Sequence, residues 1–399
     1  MWQKLLKWGI FTIVFCLPLY LVRFKILNIP TTLLEILIYF LVIVWLLGGV
    51  NIDELKTKIK ENRLLFWAIF CILFGASLAT FYSWDLRTSL GIWKAWFIDP
   101  VLFFFVFIVA IKSLKDLEKI FYVLFASGFF VSFIALIYLL LGRFNPDHRL
   151  EAFYSSPNYL AMYLTPIMAM MFCYGFLGLF IKANSGSKES VLLIAVSGFI
   201  LLVLIFTKSF GAWMGIVIAI GLDLVLWLRT IKKQKIALFL IILLVILSIG
   251  ILTLKFNSVQ GRLSIASRLE IWQKAIEAIW IYPVIGIGPG TFKDFFPEYP
   301  LWGVPQPHNL YLAFLLQTGI IGFIGFILLM FWFFRHPFCR INKINLFQFS
   351  IFAAMFSVLA HGIFDTTYWK NDLALMFWIF IGMMAVINTE SKIKHQNTI

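Results

Sequence analysis

Twelve apolar runs cut by short polar loops leave this 399-residue chain few ways to fold. The runs lie near Trp8–Val22, Thr31–Val50, Leu64–Tyr82, Ala95–Ile111, Ile120–Leu141, Asn158–Ile181, Val191–Phe206, Phe210–Leu228, Ile236–Leu254, Asn309–Phe334, Phe347–Tyr368 and Leu373–Asn388. A helix needs about 20 apolar residues to cross about 30 Å of hydrocarbon. The expected fold class is therefore all-α: a polytopic integral membrane protein with about twelve transmembrane helices. Only 13% of residues are charged, far below a soluble domain. No repeat, low-complexity tract or soluble segment stands out, so residues 1–399 read as one polytopic domain. The first run follows Lys4 and Lys7 as a signal peptide would, but shows no small-residue cleavage site and counts as a helix. Cys16, Cys71 and Cys173 fall in apolar runs and Cys339 in a short basic loop, so free thiols are expected.

The net charge of +14 has a membrane reading. Lysine and arginine crowd cytoplasmic loops and meet anionic headgroups. No basic-aromatic platform for bases is present, so membrane lipids are expected partners and nucleic acid is not. With the N-terminus inside, 20 of the 33 lysines and arginines fall in inside segments, and five of the rest share one long loop. Both termini are then cytoplasmic. The segment Arg149–Asn158, Lys208, the loop 255–308 between spans nine and ten, and Asp365 through Asp372 all face outward. A solute transporter places its polar groups near the bilayer midplane, often in repeat-related broken helices. This pattern instead suggests a site cut into one face of a helical bundle.

The long loop carries most of the polar chemistry. Ser267-Arg268-Leu269-Glu270 reads as a capping box. An amphipathic helix over about 268–281 is expected, with Leu269, Trp272, Ile276 and Ile279/Trp280 on its apolar face. Glu270 and Lys274 are spaced to pair, and Pro283 ends the helix. With tryptophan on its apolar face, it is expected to lie along the bilayer surface. Gly286, Gly288 and Gly290 then permit tight turns. They are no phosphate-binding P-loop, since no Lys-Ser/Thr follows.

Each candidate has two readings. His308 and Asn309 begin the tenth span, as a functional pair or as a cap with its headgroup-level neighbour. Arg262 and Arg268 bind substrate phosphate or lipid phosphate. Arg268, at an expected helix N-terminus, would have free backbone N–H groups beside it. His361 and Asp365 are four apart, so they share a helix face, as functional groups or as a pair holding helices together. Arg149 and Asn158 flank the start of the sixth span. Asp99, before Pro100, reads as a cap. No Asp-x-Asp, metal-ligand cluster or Gly-x-Ser-x-Gly occurs, so no metal or cofactor is expected, and metal-dependent lipid-linked glycosyltransferases and hydrolases are disfavoured.

Four strings, in order, resemble the signature of the O-antigen ligase/polymerase superfamily. They are Arg268-Leu269-Glu270-Ile271-Trp272, the segment from Pro283 to Phe292, Pro307-His308-Asn309-Leu310-Tyr311-Leu312, and Gly319-Ile320-Ile321-Gly322. Ser156-Pro157-Asn158-Tyr159 and His361-Gly362-Ile363-Phe364-Asp365 are similar to further family blocks. The resemblance runs from about Leu150 to the C-terminus. It implies about twelve helices with a large extracytoplasmic loop in a bacterial inner (cytoplasmic) membrane. The implied activity is metal-independent, inverting transfer of a glycan from undecaprenyl diphosphate to an acceptor glycan or glycolipid such as lipid A-core. The implied roles are His308 as base, Arg268, Arg262 and Lys208 around the diphosphate, and Asn309, His361, Asp365, Lys370, Asn158 and Arg149 in support. One departure stands out: Ser209-Phe210-Gly211-Ala212-Trp213 has Phe210 where the family has an arginine, and Lys208 or Lys370 would supply that charge. A polymerase of the same superfamily, a small-anion transporter and a non-catalytic partner in glycan assembly remain alternatives.

Overall fold

The computed structural model describes residues 1–49, 51–181, 187–295, 306–339 and 345–396. Among them, nine helices are long and apolar enough to cross a membrane. They coincide with nine of the twelve apolar runs, and the chain is an integral membrane protein. The other three runs make shorter helices. Trp2–Phe15 stops before Pro18, and a 3-10 turn over Leu17–Leu21 follows. Leu33–Leu47 and Leu346–His361 are 15 and 16 residues long.

Several local expectations change. The chain is not helical throughout: Arg23–Ile26 and Ile29–Thr32 pair antiparallel. Their turn places Leu27 and Asn28 at φ 47° and 65°, the positive values that a two-residue hairpin turn requires. Asp99 is no cap, because a π-helical turn over Lys94–Ile98 runs straight into Asp99–Ala110. Its Oδ2 instead accepts the Tyr39 hydroxyl at 3.1 Å.

The loop helix does not begin at the Ser267 box. It spans Val259–Ile281. Ser258 starts it, accepting the Gly261 N–H at 3.0 Å, while the Ser267 hydroxyl donates back to the Leu263 carbonyl. With 23 residues it is about 34 Å long. Arg268 is thus mid-helix, where backbone N–H groups are already bonded, and the helix-terminus argument for anion binding there lapses. Lys274 pairs with Glu277 at 2.7 Å. The packed face is Ile271, Ala275 and Ala278, set against Ile287, Phe292 and Leu316. Leu269, Ile276 and Trp280, of the face expected to meet the bilayer, are exposed, and Ile279 packs beside the buried cluster.

The contacts divide the chain into two compact units. The first comprises Met1–Ser113, Leu263–His336 and Asp365–Ile399. In it, Leu33–Leu47 packs on Trp2–Phe15 and on Asp99–Ala110, which also meets Asn371–Gln396. Helix Leu310–Cys339 breaks at Gly319, where φ is 64° and ψ −176°. The segment after the loop helix fits against that break. Ile287 N–H donates to the Leu316 carbonyl at 2.8 Å, and Ile320 N–H to the Pro283 carbonyl at 3.1 Å. A Cβ at Gly286 would lie 2.6 Å from Gly319 N, and one at Gly319 would overlap the Val284 carbonyl.

The second unit comprises Leu114–Arg262 and Pro337–Phe364. Helix Pro157–Ile181 is its buried centre, flanked by Leu114–Leu140, Ser187–Thr207, Phe210–Thr230 and Leu346–His361. Helix Gln234–Asn257 packs on Phe210–Thr230 and is otherwise mostly exposed.

The backbone at Gly319 lies in a region open essentially to glycine alone, at a cost of about 1–3 kcal/mol for other residues. Gly319→Ala should lower the melting temperature by several degrees. Gly198→Ala, mid-helix with open space around it, should leave it unchanged or raise it slightly. Equal melts for the two variants would show that the break is not a close-packed joint.

Candidate functional site

His308 stands one residue outside helix Leu310–Cys339. Asn309 caps that helix: its Oδ1 accepts the N–H groups of Tyr311 and Leu312 at 3.0 and 2.9 Å. The capping reading therefore holds for Asn309 and leaves the histidine ring out of the cap. His308 has φ 47°, a left-handed value that histidine adopts more readily than most side chains.

The His308 ring meets Asp365, Nδ1 to Oδ1 at 2.9 Å. The histidine side chain is 31% exposed and the aspartate 4%. This changes the expected grouping. Helix Leu346–His361 ends before Asp365, so His361 and Asp365 share no helix face, and Asp365 reaches His308 instead.

Aromatic packing brings these two distant segments together. Phe314, on the helix that His308 precedes, lies 5.0 Å from the Tyr368 ring and 5.3 Å from Trp369. The Tyr368 hydroxyl donates to the Trp96 carbonyl at 2.6 Å and accepts from Trp378 Nε1 at 3.2 Å. Asp365 is therefore carried on a turn bolted down three residues later. On the other side of His308, Gln306 accepts from the Gln317 amide. The Gln317 oxygen takes the Gly290 N–H at 2.8 Å. The segment before the histidine is thereby tied to the glycine-rich loop.

Of the first unit's cations, Arg268 donates to the Ser264 carbonyl at 3.1 Å and to its hydroxyl. Lys370 is buried, its Nζ 4.8 Å from the Tyr20 ring centroid and 3.6 Å from Asp372 Oδ1.

The second unit holds the remaining candidates. Arg149 and Asn158 do meet, Nη2 to Oδ1 at 2.6 Å, while Arg149 Nε donates to the Thr207 carbonyl at 2.8 Å. This bond reaches the two-residue link between Ser187–Thr207 and Phe210–Thr230, where Lys208 is exposed with φ 48°. Arg262 donates to the carbonyls of Phe256 and Asn257 at 3.1 and 3.4 Å, closing the end of the preceding helix. His361 is buried against Gly211, where a Cβ would come within 2.7 Å of its Nε2. Lys255 escaped the sequence reading. Its Nζ sits 4.9 Å from the Phe210 ring centroid, so a cation stands over that ring. The only sequence signal was a lone lysine ending a long apolar run.

The family model described as O-antigen ligase matches residues 193–327. Over that stretch the chain is similar to the O-antigen ligases. The match takes in Lys208, Arg262, Arg268, the glycine-rich loop, His308 and the break at Gly319. A Haemophilus influenzae protein, described as uncharacterized, is 24% identical over 149 residues. The aligned part covers 30% of this chain and 36% of that one. Arg149, Asn158, His361, Asp365 and Lys370 lie outside the matched stretch.

Burial pushes the Lys370 ammonium down to about 8 against the opposing pull of Asp372. The folded value lies below the unfolded one, so protonating Lys370 disfavours the fold. That penalty is complete below about pH 8 and fades as pH rises toward the ordinary lysine value of 10.5. Wild-type protein should gain melting temperature between those pH values relative to Lys370→Met. Parallel pH profiles for the two proteins would show that Lys370 does not titrate in this window.

Proposed function

We propose that this chain transfers a glycan from a polyprenyl diphosphate, undecaprenyl diphosphate in a bacterial cytoplasmic membrane, to a hydroxyl of an acceptor glycan or glycolipid. The observation that carries the reading is the His308–Asp365 pair at the mouth of a membrane-crossing helix, inside an O-antigen ligase-like chain. Both termini are cytoplasmic in this reading, and transfer occurs on the extracytoplasmic face, within the loop 255–308 and the turns beside it.

Asp365 accepts the Nδ1 proton, which leaves Nε2 of His308 with its lone pair. Nε2 takes the proton of the acceptor hydroxyl as the oxygen attacks the anomeric carbon. The bond from that carbon to the diphosphate oxygen breaks with its electron pair on the leaving group, and a single displacement inverts the centre. Arg268 offsets the charge on the departing diphosphate, and no metal takes part. Arg149 and Asn158 hold the Lys208 link, and His361 packs against Gly211 beneath it. The half-exposed ring of His308 and the buried carboxylate of Asp365 suit this division of labour, one group reaching substrate and the other orienting it.

The test is single-turnover transfer with parallel donor binding on purified variants of matched melting temperature. His308→Ala should lower turnover by roughly 10² to 10⁴ and retain donor binding. Arg268→Ala should weaken donor binding as well, and Arg268→Lys should not restore it, because an ammonium lacks the planar two-donor fork. Near-normal transfer by His308→Ala would contradict its role as base. Lost transfer with an equally lowered melt would reduce His308 to a structural element. In cells, unligated polymer after gene deletion marks a ligase, and single repeat units mark a polymerase.

A further inference from the structure

We propose that an apolar groove beside the break at Gly319 holds the isoprenoid chain of the lipid-linked donor. The inference rests on the donor reading given above and assigns one part of that donor to named residues. The groove is lined by Ile279, Trp280, Pro283, Val284, Leu315 and Ile320 and has a volume of about 260 Å³. All six lie in the first unit. The Trp280 ring nitrogen apart, their side chains bring no polar atom to the wall, so the ligand chemistry it favours is hydrocarbon.

The groove is built into the fold. The bond from Ile320 N–H to the Pro283 carbonyl joins its two walls. The backbone of Val284 is pressed against Gly319, where a Cβ has no room. The break gives the groove its place: it shifts Ile320 out of the straight helical path set by Leu315.

Continuity with the bilayer indicates what fills it. Below Ile320 on the same membrane-crossing helix, Ile324, Ile327 and Phe331 are exposed at spacings of four, three and four residues. These form one lipid-facing stripe. Above it, Trp280, Ile281 and Val284 are exposed around the end of the loop helix. The groove therefore opens where a hydrocarbon-facing surface meets the loop that carries Arg268.

Two features favour the donor's tail over bulk lipid. The volume is below the roughly 300–1,000 Å³ of a pocket for a drug-sized ligand, so it takes part of one chain. A prenyl diphosphate has one chain, whereas a phospholipid brings two tied at a glycerol. Leu315 also lies seven residues beyond His308, about 10 Å along the helix axis. A chain seated at Leu315 and Ile320 leaves that interval for the diphosphate and the reacting sugar, and ends it at the base.

The experiment compares two donors that share one diphosphate glycan, one on a long polyprenyl chain and one on a short water-soluble prenyl chain. Val284→Trp and Ile320→Trp fill the groove. Each should lower the preference in kcat/KM for the long chain over the short by tenfold or more, about 1.4 kcal/mol, with the change in KM. A prenyl diphosphate carrying a benzophenone, added to wild-type protein in nanodiscs, should label residues 279–284 or 315–320 and be displaced by unlabelled prenyl diphosphate. This labelling decides the matter if the tryptophan variants melt early. An unchanged preference in both stable variants overturns the inference. So does equal labelling by a benzophenone-acyl phospholipid that prenyl diphosphate does not displace. Wild-type protein that transfers from neither donor contradicts the donor reading itself, whereas equal use of both contradicts the groove alone.

Discussion

A broken helix in apolar surroundings must find partners for the backbone groups it frees, and that requirement organises the first unit. At Gly319 the partners are main-chain groups of the segment that follows the loop helix. Unsatisfied, each would cost kilocalories in hydrocarbon. The fit needs two backbones nearly in contact, which is why Gly286 and Gly319 face each other without side chains. The joint then fixes the surrounding parts. It seats the packed face of Val259–Ile281, and through Gln317 and Gln306 it ties down the approach to His308.

The histidine gains its partner by a second, independent route. Asp365 is 57 residues away in sequence, and the aromatic contacts of Phe314 with Tyr368 and Trp369 carry its turn to the N-terminus of the helix. One side of His308 is thus set by polar bonds to the glycine-rich loop and the other by rings. The result is a half-exposed histidine ring held on a buried carboxylate. Lys255 over Phe210 adds a cation in the second unit.

Much of the architecture was legible because hydropathy over twenty residues is a strong signal, and every apolar run became a helix. The failures were local. Ser267-x-x-Glu270 satisfies the capping-box pattern, but Ser258 caps the helix with Gly261 at the third position, and no acid there marks it. Missing nine residues at the helix start moved Arg268 from the terminus to the middle, and the small-residue face of Ile271 and Ala275 that packs inward carried no strong apolar signal. The four-residue strands around Leu27 and Asn28 are too short for an alternation signal. His308, Asn309 and Asp365 were legible as candidates, but not the partner of Asp365. Sequence spacing offered His361 four residues away, and only the end of the helix at His361 and the aromatic packing select His308. Arg149 and Asn158, nine apart, read from sequence only as flanking one helix start, and the bond between them comes from the structure.

The central claim is that this chain itself moves a glycan off a lipid diphosphate. The most direct measurement is transfer by the purified protein in proteoliposomes, with a synthetic polyprenyl-diphosphate glycan, an acceptor glycolipid and EDTA present. The expected result is release of polyprenyl diphosphate in step with formation of the glycosylated acceptor, at a rate that EDTA does not lower. Intact donor after prolonged incubation with well-folded protein, or turnover only on restoring Mg²⁺ or Mn²⁺, would contradict the account.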